Sequence, residues 1–233
     1  MPDSSLTPGR RKRHLPLEGA ATVFGAAPHS VAVPAPTHLL YLHGFRSSPR
    51  STKAQRVAAE VERLRREGRP APQWWCPQLP ASPREALQVI EDGVAAWPKD
   101  TMAVIGSSLG GFYATVLAER TGCPAVVLNP AVTPARDLTR HVGEQSFWHT
   151  PTDRFEFKAG FVDELTTMTP RSLTRPERYL AVIAKGDEVL DWREMTARYA
   201  GARIKLLPGS DHALSDFDAH LPDVFAFLRL TPG

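Results

Sequence analysis

The chain has 233 residues, of which 42% are hydrophobic, so it can form one domain with a sizeable core. Its formal charge of +3 arises at the start, where residues 10–13 are all basic and Asp3 is the one acid, so that the remainder is neutral. A neutral body argues against a nucleic-acid-binding domain, which normally carries a basic face. No apolar run approaches the ~20 residues of a membrane span. The two cysteines cannot form a disulfide framework, which indicates a reducing compartment such as the cytoplasm.

Residues 1–36 contain six prolines and show no apolar periodicity. They are predicted to be a mostly disordered extension, which leaves residues 37–233 as the folded domain. The basic run at 10–13 is interpreted as a solvated charge cluster rather than a polyanion contact. A secretion signal is not expected, because Pro16 and Glu18 interrupt the apolar stretch that such a signal requires.

Short apolar runs typical of buried strands alternate with helical patterns along most of the chain. Strands are predicted at residues 38–42, 73–76, 102–107, 125–128, 179–184 and 204–207. Helices are predicted to begin at Ser48 with Pro49 in the first turn, at Ser82, after Ser108, at Asp191 and near Phe217. This alternation predicts a mostly parallel sheet with helices on both faces.

Residues 131–174 interrupt that alternation and are predicted to form a small inserted cap. Five phenylalanine and tryptophan residues lie in this segment among polar ones. They either line a pocket for an acyl group or form a small core of the cap itself, and the second reading is favoured for most of them.

The sequence Gly106-Ser107-Ser108-Leu109-Gly110 joins a β-branched strand to a helical pattern. Strand, tight Gly-x-Ser-x-Gly turn and helix are the parts of a nucleophile elbow, in which the serine is exposed at the tip. The pattern also occurs by chance in loops, so Ser108 is a candidate nucleophile only if other segments supply a base and an acid.

Polar turns follow four of the predicted strands, around His43, Ser108, Asp187 and His212. The carboxyl ends of parallel strands meet at one edge of a sheet, where ligands bind. Serine, then acid, then histidine is the triad order of the α/β-hydrolase fold. His212 is therefore the candidate general base, since His43 comes too early in the chain.

Asp187 is the candidate acid that orients His212. It competes with three nearby carboxylates. Glu188 adjoins it, Asp191 is better explained as a helix cap, and Asp211 adjoins His212, so that its side chain is expected to point elsewhere.

The N–H groups of Leu109 and Phe45 are the candidate oxyanion donors, because one follows the nucleophile and the other lies in the turn after the first strand. Gly44 would let backbone approach the substrate, and Arg46 and Ser47 are candidate substrate contacts. His43 either braces this turn or is a packed histidine, and the sequence favours neither. No cluster with metal-ligand spacing is present in the sequence.

Five segments together resemble the YqiA/YcfP-type esterases of the α/β-hydrolase superfamily: residues 43–49, 106–115, 129–132, 186–191 and 209–213. The resemblance extends over about residues 38–230. It implies an α/β-hydrolase fold and a small bacterial-type cytoplasmic hydrolase that acts on acyl esters without a cofactor. It also implies a triad of Ser108, Asp187 and His212.

The sequence thus predicts a serine hydrolase of carboxylic esters that works through an acyl-enzyme. An acyl thioesterase or acyltransferase would use the same triad. The alternative to an enzyme is a binding protein that has the hydrolase fold but no activity. The complete set of triad residues argues against this alternative.

Overall fold

A computed structural model describes residues 34–231 of the chain. The predicted extension over residues 1–36 lies almost wholly outside the described residues and stays a prediction.

Eight strands are present in the described part of the chain. In chain order they are β1 (His38–Leu42), β2 (Gln73–Trp75), β3 (Met102–Ser107), β4 (Ala125–Leu128), β5 (Gly143–Ser146), β6 (Arg154–Phe157), β7 (Tyr179–Ala184) and β8 (Arg203–Leu207). Six of them form one sheet in the order β2-β1-β3-β4-β7-β8. Every neighbouring pair in that sheet is parallel, as the sequence predicts.

The described α-helices connect and flank these strands. They are α1 (Thr52–Arg66), α2 (Pro83–Val94), α3 (Leu109–Thr121), α4 (Pro134–Leu138), α5 (Ala159–Met168), α6 (Trp192–Arg198) and α7 (Leu221–Phe227). Short 3₁₀ turns occupy Thr139–His141, Pro176–Arg178 and Phe217–Ala219. No helix among the described residues is long and apolar enough to cross a bilayer.

Alternate residues of the sheet enter two separate cores, one on each face. Leu39 and Ile105 pack with α1 and α7 on one face. Leu40 and Val104 pack with α2, α3 and α6 on the other. Helices cover both faces of the sheet, so side chains on either side of a strand are buried. β3 and β7 are therefore buried along their whole length, and their sequences are continuous apolar runs.

Two predicted helix starts agree with the structure. The Ser82 hydroxyl accepts the Glu85 N–H at 3.2 Å, and Pro83 begins α2. The Asp191 carboxylate accepts the Arg193 N–H at 2.9 Å at the start of α6. Each cap satisfies an N–H that has no partner within its helix.

The predicted start of α1 at Ser48 and Pro49 is wrong, because the helix begins at Thr52. The Ser48 hydroxyl accepts the Arg50 N–H at 3.2 Å, and the Ser48 carbonyl accepts the Ser51 N–H at 3.0 Å. These bonds close a separate turn ahead of the helix. Serine followed by proline favours such a turn as well as a helix start, so the sequence pattern alone does not distinguish them.

Residues 131–174 contain α4, the antiparallel hairpin β5–β6 and α5. Most of the aromatic rings of this segment pack on one another, such as Phe147 on Phe155 and Phe157 on Phe161, with centroid distances of 4.9 and 5.5 Å. Phe45 from the turn after β1 joins them, 5.2 Å from Phe157. The rings thus form a small core that the cap shares with the turn after β1.

Candidate active site

Ser108 stands at the turn between β3 and α3 with a φ of 54° and a ψ of −120°. This backbone conformation costs a residue with a side chain roughly 1–3 kcal/mol. A Cβ on Gly106 would lie 2.2 Å from the Gly110 carbonyl oxygen, and one on Gly110 would lie 2.0 Å from that of Leu42. The turn is therefore so tight that only glycine fits at positions 106 and 110, two residues before and two residues after Ser108.

Ser108, His212 and Asp187 form a continuous chain of hydrogen bonds. The Ser108 Oγ lies 3.0 Å from Nε2 of His212, and Nδ1 of His212 lies 2.8 Å from Oδ2 of Asp187. A carboxylate accepts only, so the Nδ1–H donates to Asp187 and Nε2 keeps its lone pair toward Ser108. This is the tautomer that a general base needs.

The Asp187 side chain is fully buried and held by backbone. Its Oδ1 accepts the N–H groups of Val189 and Leu190, each at 2.8 Å. Its Oδ2 is thereby left for the imidazole, and the carboxylate has little freedom to rotate.

The three competing carboxylates have other partners. Glu188 accepts the backbone N–H of His212 at 3.0 Å, Asp191 caps α6, and Asp211 accepts from Ser215. Glu188 therefore stabilises the backbone of the loop that contains His212. Among the described residues, it forms no hydrogen bond with the imidazole ring.

Asn129, for which the sequence predicts no catalytic or binding role, links the loop of His212 to the end of β7. It is fully buried at the end of β4. Its side-chain amide donates to the carbonyls of Asp211 and His212 at 2.9 and 3.2 Å, and its oxygen accepts the Ala184 N–H at 2.8 Å. A polar side chain directly after a buried strand, at the same edge as the predicted triad, is the signal that could have identified it.

The N–H groups of Phe45 and Leu109 have no hydrogen-bond acceptor among residues 34–231. Both residues line a cavity together with Ser108. Free donors beside a nucleophile are what an oxyanion hole requires. A Cβ on Gly44 would lie 3.2 Å from that of Ser108, so the turn after β1 passes directly over the nucleophile.

His43 braces that turn. Its Nε2 accepts the Leu79 N–H at 3.1 Å, so the proton is on Nδ1, which donates to the Gly44 carbonyl at 3.0 Å. Burial lowers the pKa of His43 to about 4, which keeps the ring neutral at pH 7 and the tautomer fixed. Because both ring nitrogens form hydrogen bonds, the geometry favours a His43 that stabilises the turn after β1 over one that only packs in the core.

Arg46 joins the turn after β1 to the cap hairpin. Its guanidinium donates to the Ser146 carbonyl at 2.6 Å and to the Ser146 hydroxyl at 3.0 Å, and it lies 4.1 Å from the ring centroid of Trp148. The Arg46 carbonyl accepts the Trp148 N–H at 2.9 Å. Much of the donor capacity of Arg46, a predicted substrate contact, is thus used by the cap.

Two cavities meet at Ser108 and His212. The cap-side cavity, of about 290 Å³, is lined by apolar residues such as Leu109, Leu138 and Leu190, and by the charged side chains of Arg46, Arg140 and Asp137. The α1-side cavity, of about 190 Å³, lies on the other side and is lined by the polar residues Tyr41, Ser47, Ser51, Lys53 and Ser107. Ser47, the third predicted substrate contact, lies in its wall.

The model of an uncharacterised protein family, UPF0227, matches residues 38–229. This match confirms the predicted relationship to the YqiA/YcfP-type family.

Solved structures with the same fold are similar over most of their length. Mouse alpha/beta hydrolase domain-containing protein 10 matches with a TM-score of 0.62 and 13% identity, covering 85% of this chain and 92% of that one. An esterase domain from Rhodothermus marinus matches with a TM-score of 0.57 and 21% identity, over 84% of this chain and 87% of that one. Est1E from Butyrivibrio proteoclasticus, solved with ferulic acid, matches with a TM-score of 0.57 and 16% identity, over 87% and 90%. The predicted α/β-hydrolase fold is confirmed.

Proposed function

This chain belongs to the family UPF0227, and from that premise we propose that it is a serine hydrolase that cleaves carboxylic acyl esters. One observation carries the proposal: the hydrogen-bond chain from Ser108 through His212 to Asp187, beside two N–H groups free to receive an oxyanion. A small molecule is the proposed substrate, and the cytoplasm is the proposed location, which rests on the family resemblance.

Ser108 attacks the carbonyl carbon of the ester while Nε2 of His212 accepts its proton. The carbonyl oxygen becomes an oxyanion, to which the N–H groups of Phe45 and Leu109 donate. Asp187 stabilises the imidazolium that forms, since its carboxylate receives the Nδ1–H.

His212 then returns the proton to the departing alcohol oxygen, and the acyl group stays on Ser108. In the second half of the reaction, water takes the place of the alcohol and His212 again accepts a proton. Attack of this water on the acyl carbon forms a second oxyanion, whose collapse breaks the bond to the Ser108 Oγ. His212 returns its proton to that Oγ, so the carboxylic acid leaves and Ser108 is restored.

The cap-side cavity suits the acyl group. Leu109, Leu138 and Leu190 offer apolar surface within reach of Ser108, and burying an acyl chain there would contribute about 0.8 kcal/mol per methylene. Since the cavity is about 290 Å³, short to medium acyl chains are the expected range.

The test is hydrolysis of 4-nitrophenyl esters and matched thioesters by the natural protein, Ser108→Ala and His212→Ala. We expect ester turnover that falls on the order of 10⁴–10⁶-fold in either variant, with the fold retained by circular dichroism. Near-normal activity in Ser108→Ala would contradict the proposal. Turnover of thioesters in preference to esters, or transfer to an added alcohol, would instead indicate a thioesterase or an acyltransferase.

A further inference from the structure

The α1-side cavity has a composition that ester hydrolysis alone does not require. Its wall combines hydroxyl groups with one ammonium group, that of Lys53, and no aspartate or glutamate is found among the described residues that line it. Lys53 is half-buried and forms no ion pair with a described carboxylate. Its ammonium donates to the Ala213 carbonyl, which leaves two of its three N–H donors free.

Two hydroxyl groups of the same wall lack partners. The Tyr41 side chain is fully buried, and its Oη, near the Ser107 hydroxyl, forms no well-aligned hydrogen bond among the described residues. The buried Oγ of Ser51 has no described partner either. An unpaired buried hydroxyl costs about 1–3 kcal/mol, so such groups normally bind a water or a ligand.

The start of α1 adds to the positive character of this cavity. Ser51 and Lys53, which flank the first residue of the helix, both line it. The first turn of α1 contains no acidic residue, and no side chain caps its N–H groups within the described residues. The amino end of this 15-residue helix therefore favours negative charge in its vicinity.

We infer that the α1-side cavity is the leaving-group subsite and binds a carboxylate carried by the alcohol part of the ester, with Lys53 as its counterion. This inference rests on the proposed function and deepens it by naming a substrate class. Ser108 and His212 both line this cavity, so an alcohol bound there lies within reach of the imidazole that returns the proton to it. The acyl group then occupies the cap-side cavity.

The lack of a lining carboxylate among the described residues favours this cavity over the cap-side one as an anion site, and its single ammonium favours a carboxylate over a phosphate. The cap-side cavity is lined by Asp137 as well as by Arg46 and Arg140, so an anion there would lie near a carboxylate, and the Arg46 guanidinium already donates to Ser146. In the α1-side cavity the single ammonium matches a single negative charge. A phosphate ester carries about −1.5 to −2 at pH 7 and would leave charge uncompensated.

Lys53 is charged at neutral pH. Burial lowers the pKa of its ammonium to about 8, and the nearby carboxylates of Asp211 and Asp187 act in the opposite direction. Both carboxylates have other partners, since Asp211 accepts from Ser215 and Asp187 from His212. Lys53 therefore remains available to an incoming anion.

The test compares two esters that share a butyryl group: that of 3-hydroxybenzoate, which carries the carboxylate, and that of 3-hydroxybenzamide, which does not. In Lys53→Met we expect the ratio of their kcat/KM values to fall about tenfold or more, mainly through a higher KM for the carboxylate ester. Lys53→Arg should keep part of the preference. The exposed Lys158→Met is the matched control and should change the ratio less than about twofold.

An equal fall in kcat for both esters would overturn the inference, because Lys53 would then act only by positioning the His212 loop through Ala213. An unchanged ratio in a folded Lys53→Met protein would overturn it as well.

A binding measurement keeps the inference separate from the proposed function. Calorimetric titration of 3-hydroxybenzoate into Ser108→Ala should show binding that Lys53→Met weakens about tenfold or more, and 3-hydroxybenzamide should bind poorly. If the natural protein hydrolyses neither these two esters nor the 4-nitrophenyl esters, the proposed function fails, while this titration still decides the subsite. If 3-hydroxybenzoate does not bind to the folded Ser108→Ala protein, the proposed subsite is wrong, even if the natural protein hydrolyses neutral esters.

Discussion

Every residue of β3 and β7 is buried, whereas the hairpin β5–β6 of the cap buries only Phe157, and Trp148 beside it is 64% exposed. Ser108 and Asp187 lie on turns that follow β3 and β7, His212 follows the less buried edge strand β8, and the cap contributes one wall of the cap-side cavity. A residue in a close-packed core has few alternative positions, while a half-exposed hairpin has many. Under the proposed function, we therefore expect the sheet to fix the catalytic groups and the cap to select among substrates.

The two regions meet at the turn after β1. Phe45 packs among the rings of the cap, and Arg46 bonds to Ser146 and stacks on Trp148. His43 holds the same turn from the side of the sheet. The proposed oxyanion donor of Phe45 thus depends on both regions.

The largest expected effect comes from the sheet side. Asp187→Asn should lower kcat about 10⁴-fold, because an amide at this position favours the tautomer that gives Nε2 a proton and removes the base from Ser108. Asp211→Asn is the matched control, since Asp211 adjoins His212 but bonds to Ser215. Ester kinetics within about tenfold of normal in Asp187→Asn would contradict the assignment of the acid.

A second effect concerns His43 and acid stability. Its pKa is about 4 when folded and 6.5 ordinarily, so the unfolded chain binds more protons between these values. The contribution of neutral His43 to the free energy of unfolding is therefore complete above pH 6.5. It is lost as the pH falls toward 4, which lowers the free energy of unfolding by about 3 kcal/mol. The measurement is urea unfolding of the natural protein and His43→Gln at pH 8, 6 and 4. The variant should lose less stability on acidification, and parallel curves would show that His43 is not held neutral by burial.

A smaller effect is expected where the cap meets the sheet. Arg46→Ala removes two bonds to Ser146 and the contact with Trp148, and it should lower kcat about tenfold by loosening the Phe45 N–H. Arg140→Ala is the control, because Arg140 lines the same cavity without bonding to the hairpin in the described structure. If the two variants lose kcat equally, the cause is lost charge in the cavity and not displacement of the oxyanion donor.

The smallest effect lies within the cap. Gly160 stands in α5, and a methyl group added to it would meet no described atom of another element within 4 Å. Gly160→Ala should therefore stabilise the protein by about 0.5–1 kcal/mol without changing ester kinetics. Gly110→Ala is the contrasting variant, because its methyl group would meet the Leu42 carbonyl. Thermal unfolding measures both, and a tolerated Gly110→Ala would contradict the tightness of the elbow.

The sheet and the candidate nucleophile Ser108 could be predicted from the sequence because each rests on a local pattern, and the candidate acid and base followed from the order of the polar turns after the strands. A strand buried on both faces is a continuous apolar run, and Gly106 and Gly110 mark the elbow by their size alone. The hairpin β5–β6 gave no such signal, since its residues are half-exposed and its packing depends on Phe45 from a distant turn. The place of Asn129 directly after a buried strand marks it in the sequence, but its hydrogen-bond partners could not be predicted, because Ala184, Asp211 and His212 come together only in the folded chain.

The central claim is that Ser108 is an activated nucleophile. The most direct measurement is the mass of the intact protein after treatment with a fluorophosphonate, for the natural chain and for Ser108→Ala. Since this reagent needs an activated serine and no knowledge of the substrate, the account predicts a single adduct on the natural chain and none on Ser108→Ala. A folded natural protein that gains no adduct, or a Ser108→Ala variant that still gains one, would contradict it.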